Sequence, residues 1–523
     1  MDRDAMRKRI TESTAPWDLV VIGGGATGLG AAVESASRGY RTLLLERRDF
    51  AKATSSRSTK LVHGGVRYLQ QGNVSLVLEA LKERGLMRRN APHLVRNLPF
   101  VVPIYDWWEG PFYGIGLKVY DMLAGRHGFG ASRRLSRQET LEAIPTVEPD
   151  GLRAGVIYYD GQFDDARLAI HLAMTAADQG ATVLNYFRVR DLIKADGRVR
   201  GVMARDEETG EEYRIPSRAV LNATGIFIDE IRRFDDPDAS AVLAVSQGVH
   251  IVLDRSFLPG DTAIMVPHTD DGRVLFAIPW HDRVVVGTTD TPVPEALAEP
   301  KPLAEELEFL LAHAARYLTR DPVPADVRST FAGLRPLIRS GDVADTAALS
   351  RDQSVVISDS GLVTIAGGKW TTYRRMAEDA VDQAALVGCL PERASVTRTL
   401  NIHGYFAEAR KFGPLAEYGA DAPAVEATLR ETEGWNDPIH PRLPYRRGEV
   451  VWAARHEMAR TVEDVLSRRT RALLLDARAA AEAAPVAAEL LARTLGRDAA
   501  WQRAQVEEFR ELARNYWMEE EGA

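Results

Sequence analysis

Two kinds of hydrophobic pattern follow each other along the chain. The apolar run from Asp18 to Ile22 is typical of a buried parallel strand, and the small residues from Ala26 to Arg38 have the spacing of a helix. A second apolar run, from Arg41 to Glu46, predicts another strand. Strand, helix and strand in this order predict a βαβ unit of a parallel sheet.

The pattern changes to a period of two between residues 241 and 330. The segments GVHIVL, TAIMV, RVLFAIPW and RVVVGTTD alternate between apolar and other residues and are separated by polar breaks. This alternation is typical of an antiparallel sheet with one face towards a core. After about residue 395, alanine-rich and charged periodic segments predict a helical region that closes the chain.

A glycine-rich turn joins the first strand to its helix. In the sequence G-x-G-x-x-G, Gly23 permits a tight turn, Gly25 lets the backbone approach a pyrophosphate, and Gly28 lets helix and strand pack closely. Glu46 ends the second strand, where a carboxylate can accept hydrogen bonds from both hydroxyls of an adenosine ribose. This acid favours FAD or NAD over NADP.

Further stretches have the composition of cofactor contacts. Residues 47–69 lose hydrophobic patterning and are rich in serine and threonine, which predicts a donor-rich loop beside a flat ligand, with an ordinary solvated loop as the alternative. Thr224-Gly225 and Gly367-Gly368 each follow a predicted strand and offer two more places where backbone can approach the ligand.

Composition excludes several classes of protein. The 523 residues are 45% hydrophobic, which supports several domains with large cores. Because 66 basic residues stand against 74 acidic ones, for a net charge of −8, we predict no nucleic-acid partner, and a phosphorylated substrate needs a local cationic pocket. The single cysteine, Cys389, excludes an intramolecular disulfide and fits a reducing compartment. Histidine and cysteine do not recur at ligand spacings, so we predict no metal site.

The position of the protein relative to membranes follows from two stretches. The charged N-terminal residues lack the apolar run of a secretory signal, and no run of 18 apolar residues follows, so we predict a cytoplasmic protein. Aromatic and apolar residues concentrate between Trp107 and Met122. They predict either a substrate-domain core or an interfacial surface for peripheral attachment to the inner face of the cell membrane.

Five motifs together resemble one family. DLVVIGGGATGLG, ATSSRSTKLVHGGVRYL, IPWHDRVVVGTTDT, FAGLRPL and AGGKWTTYR look like the FAD-dependent glycerol-3-phosphate dehydrogenase family, and EVVWAARHEMARTVEDVLSRRTR resembles its C-terminal helical domain. The resemblance covers nearly the whole chain. It implies an α/β fold: an FAD-binding Rossmann-like domain (17–90, 151–240 and 331–390), an antiparallel-sheet substrate domain (91–150 and 241–330) and a C-terminal helical domain (395–523).

The cofactor implied is FAD, which we expect to be bound non-covalently. The backbone near Val189 is expected to reach the adenine, and His63 to lie against the flavin. The whole expected set is Gly23, Gly25, Gly28, Glu46, Thr54, Ser55, Ser58, Lys60, His63, Gly64, Val189, Thr224, Gly225, Gly368, Lys369 and Thr371.

The implied reaction is the oxidation of sn-glycerol 3-phosphate to dihydroxyacetone phosphate, with electrons passed to a quinone. Position in the family-like motifs makes Arg335 the expected catalytic cation and His250 the expected proton acceptor. Arg67, Tyr68 and Lys369 are expected to bind the substrate, with the two cations holding its phosphate. Family members often have lysine where Gln247 stands, so we expect one cation fewer in the phosphate clamp.

Alternatives to this function stay open in the sequence. An oxidase of the same family would pass electrons to oxygen, and an amine or amino-acid oxidase uses the same fold. A flavin-binding regulatory protein is the non-enzymatic alternative. The oligomeric state is not determined, with a homodimer among the alternatives.

Overall fold

The computed structural model describes residues 1–65, 74–106, 109–266, 269, 274–339 and 353–518, with residues 109–112 and 126 described by their backbone only. Arg67, Tyr68, Trp107 and Trp108 therefore lie outside the described residues or side chains. Within these ranges the chain forms two β-sheets surrounded by helices.

The strands are numbered in chain order: β1 Trp17–Ile22, β2 Thr42–Leu45, β3 Leu61–Val62, β4 Val95–Ile104, β5 Arg133–Ser136, β6 Ala154–Phe163, β7 Thr182–Leu184, β8 Phe187–Ala195, β9 Arg198–Asp206, β10 Glu212–Asn222, β11 Leu243–Asp254, β12 Ala263–Val266, β13 Leu275–Trp280, β14 Arg283–Gly287, β15 Thr291–Val293, β16 Val327–Ile338, β17 Gln353–Ile357 and β18 Val363–Gly367.

The α-helices are numbered in the same way: α1 Arg3–Thr11, α2 Ala26–Ser37, α3 Val74–Asn90, α4 Glu109–Ala124, α5 Arg137–Ala143, α6 Asp165–Asp178, α7 Ile228–Asp235, α8 Ala304–Ala315, α9 Tyr373–Val387, α10 Ala422–Arg430, α11 Arg447–His456, α12 Ala472–Leu475, α13 Ala477–Leu495 and α14 Ala499–Arg514. Short 3-10 turns include Thr54–Ser56, Gly225–Phe227 and Trp370–Thr372.

The first sheet contains the predicted βαβ unit. Strands β7, β2, β1, β10 and β18 run parallel to one another, and β17 adds an antiparallel edge. Val20 and Leu44 are fully buried, as the unbroken apolar runs predict, in a core that they share with residues of helices α2, α6 and α9 and of the strands β8 and β9. The predicted Rossmann-like fold is confirmed.

The second sheet contains the strands with period-two patterning. Strands β11 to β14 pair antiparallel in the order β11, β14, β13, β12. On its other side β11 pairs antiparallel with β16, with Leu243 opposite Ile338 at one end and Leu253 opposite Val327 at the other. Beyond β12 the sheet continues through β4 to β6 and β3. Alternate residues of β11, such as Val249 and Ile251, enter a core, as the predicted antiparallel sheet requires.

Three strands that lie wholly or partly within the ranges expected for the FAD-binding domain belong to the second sheet. Strands β3, β6 and β16 pair with the strands of the second sheet. The sequence motifs at these strands contain glycine, serine and threonine, which are typical of cofactor loops. In the structure these residues lie within the strands or directly beside them. The chain therefore crosses between the sheets several times near the cofactor motifs.

The C-terminal helices pack on the second sheet and reach back to an early loop. Val252 and Phe331 form one core with apolar residues of helices α12 to α14. Arg471 donates from Nη2 to the carbonyl oxygen of Ser56 at 2.9 Å, and Arg57 donates to the hydroxyl of Tyr516 at 3.0 Å. The loop at residues 54–60 is thus anchored by the far end of the chain.

Helix α4 contains part of the predicted aromatic segment. Tyr113, Leu117 and Tyr120 are buried, whereas Ile115 and Met122 are 68% and 78% exposed. The described part of this segment therefore has one face in a core and another towards solvent. No helix among the described residues is long and apolar enough to cross a membrane.

Candidate functional site

A cleft opens at the carboxyl ends of the parallel strands, where ligands bind in folds of this type. Gly23 follows β1, Glu46 follows β2, and Thr224 follows β10, so three strand ends converge there. The cleft is lined by ten of the residues expected to bind FAD: Gly23, Gly25, Glu46, Thr54, Ser55, Val189, Thr224, Gly225, Gly368 and Lys369.

The glycines leave space for a phosphate at the start of α2. Gly23 has a φ of +109°, and a Cβ there would lie 2.7 Å from the carbonyl oxygen of Ala223. Gly25 is the N-cap residue of α2 and has no side chain to cap the helix, while the backbone N–H of Ala26 donates to Oγ of Ser55 at 2.9 Å. A Cβ on Gly28 would lie 2.0 Å from the carbonyl oxygen of Gly23, because helix and turn are packed so closely. These features fit the pyrophosphate of FAD.

Glu46 lies at the wall of the cleft with both carboxylate oxygens already engaged. Its Oε2 accepts from the backbone N–H of Gly24 at 2.6 Å, and its Oε1 accepts from that of Arg48 at 2.8 Å. Burial raises the pKa of Glu46, and these two hydrogen bonds oppose the increase. Since a carboxylate offers about four lone pairs, capacity remains for the hydroxyls of a ribose.

Ser58 and Lys60 face a buried carboxylate. The Ser58 hydroxyl and the Lys60 ammonium donate to Oδ2 of Asp165, each at 2.7 Å. Asp165 opens helix α6, and its other oxygen accepts from Arg471 at 3.0 Å. Ser58 and Lys60, two of the residues expected to contact FAD, thus belong to an ionic cluster that fixes their loop.

His63, Gly64 and Thr371 lie together beside this loop. The backbone N–H of His63 donates to Oγ1 of Thr371 at 3.3 Å, and that of Gly64 donates to the hydroxyl of Tyr120 at 2.7 Å. These contacts connect the loop to α4 and to the turn after β18. Arg67 and Tyr68, expected to bind substrate, lie outside the described residues.

His250 projects from β11 into a buried aromatic environment. Its ring stacks on Phe331 with centroids 4.6 Å apart, and its Nε2 lies 2.9 Å from Oγ1 of Thr59. Burial lowers the pKa of His250 well below its usual value, and the charges of Lys60 and Arg335 lower it further. The imidazole is therefore neutral at physiological pH, and the same lowering makes it a weaker base than an exposed histidine.

Arg335 lies on β16, the strand next to His250. Its guanidinium donates to Asp290 at 2.9 Å and to the carbonyl oxygen of Thr289 at 2.8 Å. A Cβ on Gly248 would lie 2.5 Å from Nη2 of Arg335, so glycine makes room for the guanidinium. Pro336, the next residue, lines the cleft. His250 and Arg335 thus lie on neighbouring strands, four register positions apart, and Arg335 directly precedes a residue that lines the cleft.

Gln247 points to the opposite face of β11. Its amide donates to Glu306 at 2.7 Å and to the carbonyl oxygen of Lys301 at 3.0 Å. Side chains three residues apart on a strand lie on opposite faces, and the expected number of cations in the phosphate clamp stays a prediction. Position 247 does not face the side of the sheet that carries His250.

Several cleft or site residues were not singled out from the sequence. Arg47 lies 4.0 Å above the ring of Phe227 and pairs with Glu230 at 2.9 Å, and all three residues line the cleft. Trp370 donates its indole N–H to the carbonyl oxygen of Ser55. Arg47 directly follows Glu46, and this position was the feature of the sequence that could have placed Arg47 at the cleft. Asp290, which binds Arg335, directly follows the strand segment VVVGTT.

Three side chains of metal-ligand type also meet, away from this cleft. Asp164, His281 and Glu417 place ligand atoms within 4.8 Å of one another. The His281 Nε2 lies 3.2 Å from Asp164 and 3.4 Å from Glu417, and Arg471 lies 3.4 Å from Asp164. These groups come from distant segments, so sequence spacing could not indicate them. Their mutual ion pairs connect three parts of the chain.

Two family descriptions match the chain. Residues 18–374 match the family described as FAD dependent oxidoreductase, and residues 363–502 match the C-terminal domain of alpha-glycerophosphate oxidase. The mitochondrial glycerol-3-phosphate dehydrogenase of Bos taurus is 40% identical over 98% of this chain and 74% of the relative. That of Arabidopsis thaliana is 39% identical over 98% of this chain and 89% of the relative.

Solved structures agree with these matches. Glycerol-3-phosphate dehydrogenase from Bacillus halodurans, solved in complex with FAD, has a TM-score of 0.80 at 30% identity, covering 98% of this chain and 97% of its own. L-alpha-glycerophosphate oxidase from Mycoplasma pneumoniae, at 16% identity and a TM-score of 0.57, covers 73% of this chain and 97% of its own, and shares the fold. The protein is an FAD-dependent oxidoreductase, and its chain belongs to the family of FAD-dependent glycerol-3-phosphate dehydrogenases.

Proposed function

We propose that the protein oxidises sn-glycerol 3-phosphate to dihydroxyacetone phosphate and passes the electrons to a quinone. One observation carries the proposal beyond family membership: a neutral, buried histidine and an arginine lie on neighbouring strands, and the arginine directly precedes a residue that lines the cofactor cleft. Oxidation of an alcohol needs a group that takes the hydroxyl proton and a group that stabilises the developing negative oxygen.

FAD would be held by the glycine turn, Glu46 and the strand-end residues of the cleft. Gly23 and Gly25 would bring backbone to the pyrophosphate, Glu46 would bind the ribose, and Val189 would lie at the adenine. When bound, FAD supplies the two-electron oxidation of the substrate carbon.

His250 is the proposed base. Its imidazole would take the proton of the C2 hydroxyl, and the stacking contact with Phe331 and the hydrogen bond with Thr59 would hold the ring in place. The low pKa of His250, caused first by burial, keeps the base free of a proton before the reaction.

Arg335 would stabilise the negative charge that develops at the C2 oxygen. Its fixed guanidinium is oriented by Asp290 and by the carbonyl oxygen of Thr289. Because this cation is already in place before the reaction, little reorganisation is needed as charge develops.

The phosphate would be bound by Arg67, Tyr68 and Lys369. Lys369 lines the cleft, and the glycine-rich turn before it places it at the end of β18. An ammonium and a guanidinium suit a dianion in a protein whose net charge is −8.

Transfer to a membrane quinone requires contact with a lipid surface. We infer that the exposed apolar face of α4, formed by Ile115, Val119 and Met122, provides peripheral attachment. Liposome flotation of the wild type and of an Ile115→Ser, Met122→Ser variant tests this. Equal flotation of both proteins would place the attachment elsewhere.

We also propose that the two sheets bind different ligands. We propose that the parallel sheet and its helices bind FAD, that the antiparallel sheet forms the substrate side, and that residues 395–523 form a separate helical domain. The strands β6 and β16 belong with the substrate sheet in this division.

An anaerobic absorption spectrum tests the proposed reaction most directly. Glycerol 3-phosphate should bleach the flavin band of the purified yellow protein, and a soluble quinone should restore it without air. A band that survives glycerol 3-phosphate would contradict the proposed substrate. Rapid peroxide formation under air, with no response to quinone, would favour the oxidase.

A further inference from the structure

Lys60 is a buried charged group that has no part in the proposed chemistry. Its ammonium is fully buried and donates to Oδ2 of Asp165 at 2.7 Å and to the carbonyl oxygen of Ser56 at 2.8 Å. A buried ammonium is costly even when it is paired. A loop with purely structural contacts could use a smaller polar side chain.

The ammonium lies beside the aromatic ring that carries His250. Lys60 Nζ is 5.0 Å from the centroid of Phe331, and the His250 ring stacks on the same Phe331 at 4.6 Å. The preceding residue, Thr59, contacts Nε2 of His250 at 2.9 Å. Lys60 and His250 therefore both lie against Phe331 in one buried cluster.

The position of the ammonium is fixed from two sides. Asp165 binds Lys60 with one oxygen and accepts from Arg471, of the C-terminal helices, with the other. Trp280 contributes a second aromatic face, 5.4 Å from Lys60 Nζ. Arg471 also contacts Asp164 at 3.4 Å. The positive charges of Lys60 and Arg471 therefore lie beside two carboxylates, those of Asp164 and Asp165.

We propose that Lys60 is a positioning residue that acts through His250: its charge adds to the effect of burial in disfavouring protonation of the imidazole, and Asp165, itself bound by Arg471, holds the ammonium in place. This inference rests on the proposed role of His250 as the base. It gives the C-terminal helices a part in the chemistry, since Arg471 completes the support of Lys60.

The charges around His250 agree with this role. Lys60 and Arg335, which is paired with Asp290, are the charged groups that lower the pKa of His250 after burial has done so. Burial lowers the pKa of Lys60 itself to about 8, Asp165 opposes the decrease, and Arg471 adds to it. Lys60 is therefore mostly charged at neutral pH and loses its effect above about pH 8.

The test compares Lys60→Met with Lys60→Arg in FAD-saturated holoenzyme. Since the ammonium lies no more than about 10 Å from His250 through Phe331, its removal should raise the pKa of His250 by about one unit. The acid limb of the pH profile of kcat/KM should move upward by the same amount. Lys60→Arg should keep the wild-type profile, and Lys8→Met, which removes an exposed lysine from α1, should keep it too.

A second readout does not depend on turnover. Nitrogen NMR of ¹⁵N-histidine-labelled holoenzyme, with the His250 signal assigned from a His250→Gln variant, follows the ring charge directly. Should Lys60→Met not fold, the pair can be removed together in Lys60→Met, Asp165→Asn, which leaves no unpaired carboxylate, although the single amide oxygen can replace only one of the two acceptors that Asp165 offers to Ser58 and Arg471. The upward shift should be smaller than in Lys60→Met, because the negative charge beside the ammonium is removed with it.

The outcomes separate this inference from the proposed function. An upward shift of the His250 titration in the Met variant, absent in the Arg variant, supports the role of Lys60. An unchanged titration in a folded, FAD-bound Met variant overturns it. If the wild type does not oxidise glycerol 3-phosphate, the proposed function fails, and the NMR titration still decides whether Lys60 controls the charge of His250.

Discussion

The nucleotide end of the cleft is formed largely by backbone and glycine, whereas the surroundings of His250 are formed by charged and aromatic side chains. At the nucleotide end, Gly23 and Gly28 allow contacts that a Cβ would prevent. Around His250, the environment depends on Phe331, Lys60 and Arg335, which come from different segments. We therefore expect substitutions at the first place to change cofactor affinity, and substitutions at the second to change rates.

The largest effect is expected at His250. Replacement of a general base typically costs about 10²–10⁴ in rate, so His250→Gln should lower kcat for glycerol 3-phosphate by that factor. The dissociation constant of FAD should stay at the wild-type value, because no described contact of His250 involves the nucleotide end. Steady-state kinetics and flavin fluorescence check the two halves of this prediction. A large loss of FAD affinity would remove the distinction between the two regions.

The second-largest effect is expected for Arg335→Ala, which should lower kcat by about 10²–10³, as for the loss of one group that stabilises an oxyanion. The slow oxidation of glycerol should decrease by a similar factor, since the C2 oxygen is common to both substrates. Kinetics with glycerol and glycerol 3-phosphate measure this. A change restricted to KM for the phosphorylated substrate would assign Arg335 to the phosphate instead.

Lys369→Ala should raise KM for glycerol 3-phosphate about tenfold or more, as expected for a lost hydrogen bond to a charged group of about 1.5–3 kcal/mol. Oxidation of glycerol should change little, because glycerol has no phosphate. Since Lys369 also lines the cofactor cleft, FAD content must be measured in the same preparation. Equal losses with both substrates would contradict a role in phosphate binding.

Glu46→Ala should weaken FAD binding by about 1.5–3 kcal/mol through loss of hydrogen bonds to the ribose. It also leaves the N–H groups of Gly24 and Arg48 without their acceptor. Glu46→Gln, which keeps one oxygen, should weaken binding less. The measurement is FAD affinity by fluorescence, with kcat determined at saturating FAD. A decrease in kcat at saturation would show that the nucleotide end also controls the chemistry.

The smallest effect concerns His403, which lies outside both regions. Its ring contacts Asp178 at 2.6 Å and Asp421 at 2.8 Å, and these carboxylates overcome the effect of burial and raise its pKa to about 9. The resulting stabilisation is complete below the ordinary histidine pKa of 6.5 and is lost as the pH rises through about 9.

Denaturant unfolding at pH 6, 7.5 and 9.5 should therefore show a decrease in the free energy of unfolding at the highest pH. His403→Gln should remove most of this dependence and cost about 1–2 kcal/mol at pH 6. His440→Gln, at a partly exposed histidine paired with Glu482, is the control. An identical pH dependence in the wild type and His403→Gln would exclude this contact as the cause.

The difference between the regions also explains what sequence could predict. The βαβ unit was predicted within one or two residues, since glycine spacing and apolar periodicity are local properties. The ionic cluster of Lys60, Asp165 and Arg471 could not be predicted, because its members are brought together only by the fold. Gln247 shows the same limit. The family-like motif indicated where Gln247 stands in the chain, but only the pairing of β11 shows which face of the sheet its side chain lies on.

The long-range anchoring of the loop at residues 54–60 affects the order of events during synthesis. Ser56 and Arg471 are 415 positions apart, and Arg57 and Tyr516 are 459 apart. Because a ribosome releases N-terminal parts first, the glycine turn and its strand can fold early, while the adjoining loop lacks its final partners. Stable uptake of the flavin should consequently follow translation of the last helices, and nascent chains halted before Arg471 should release it readily.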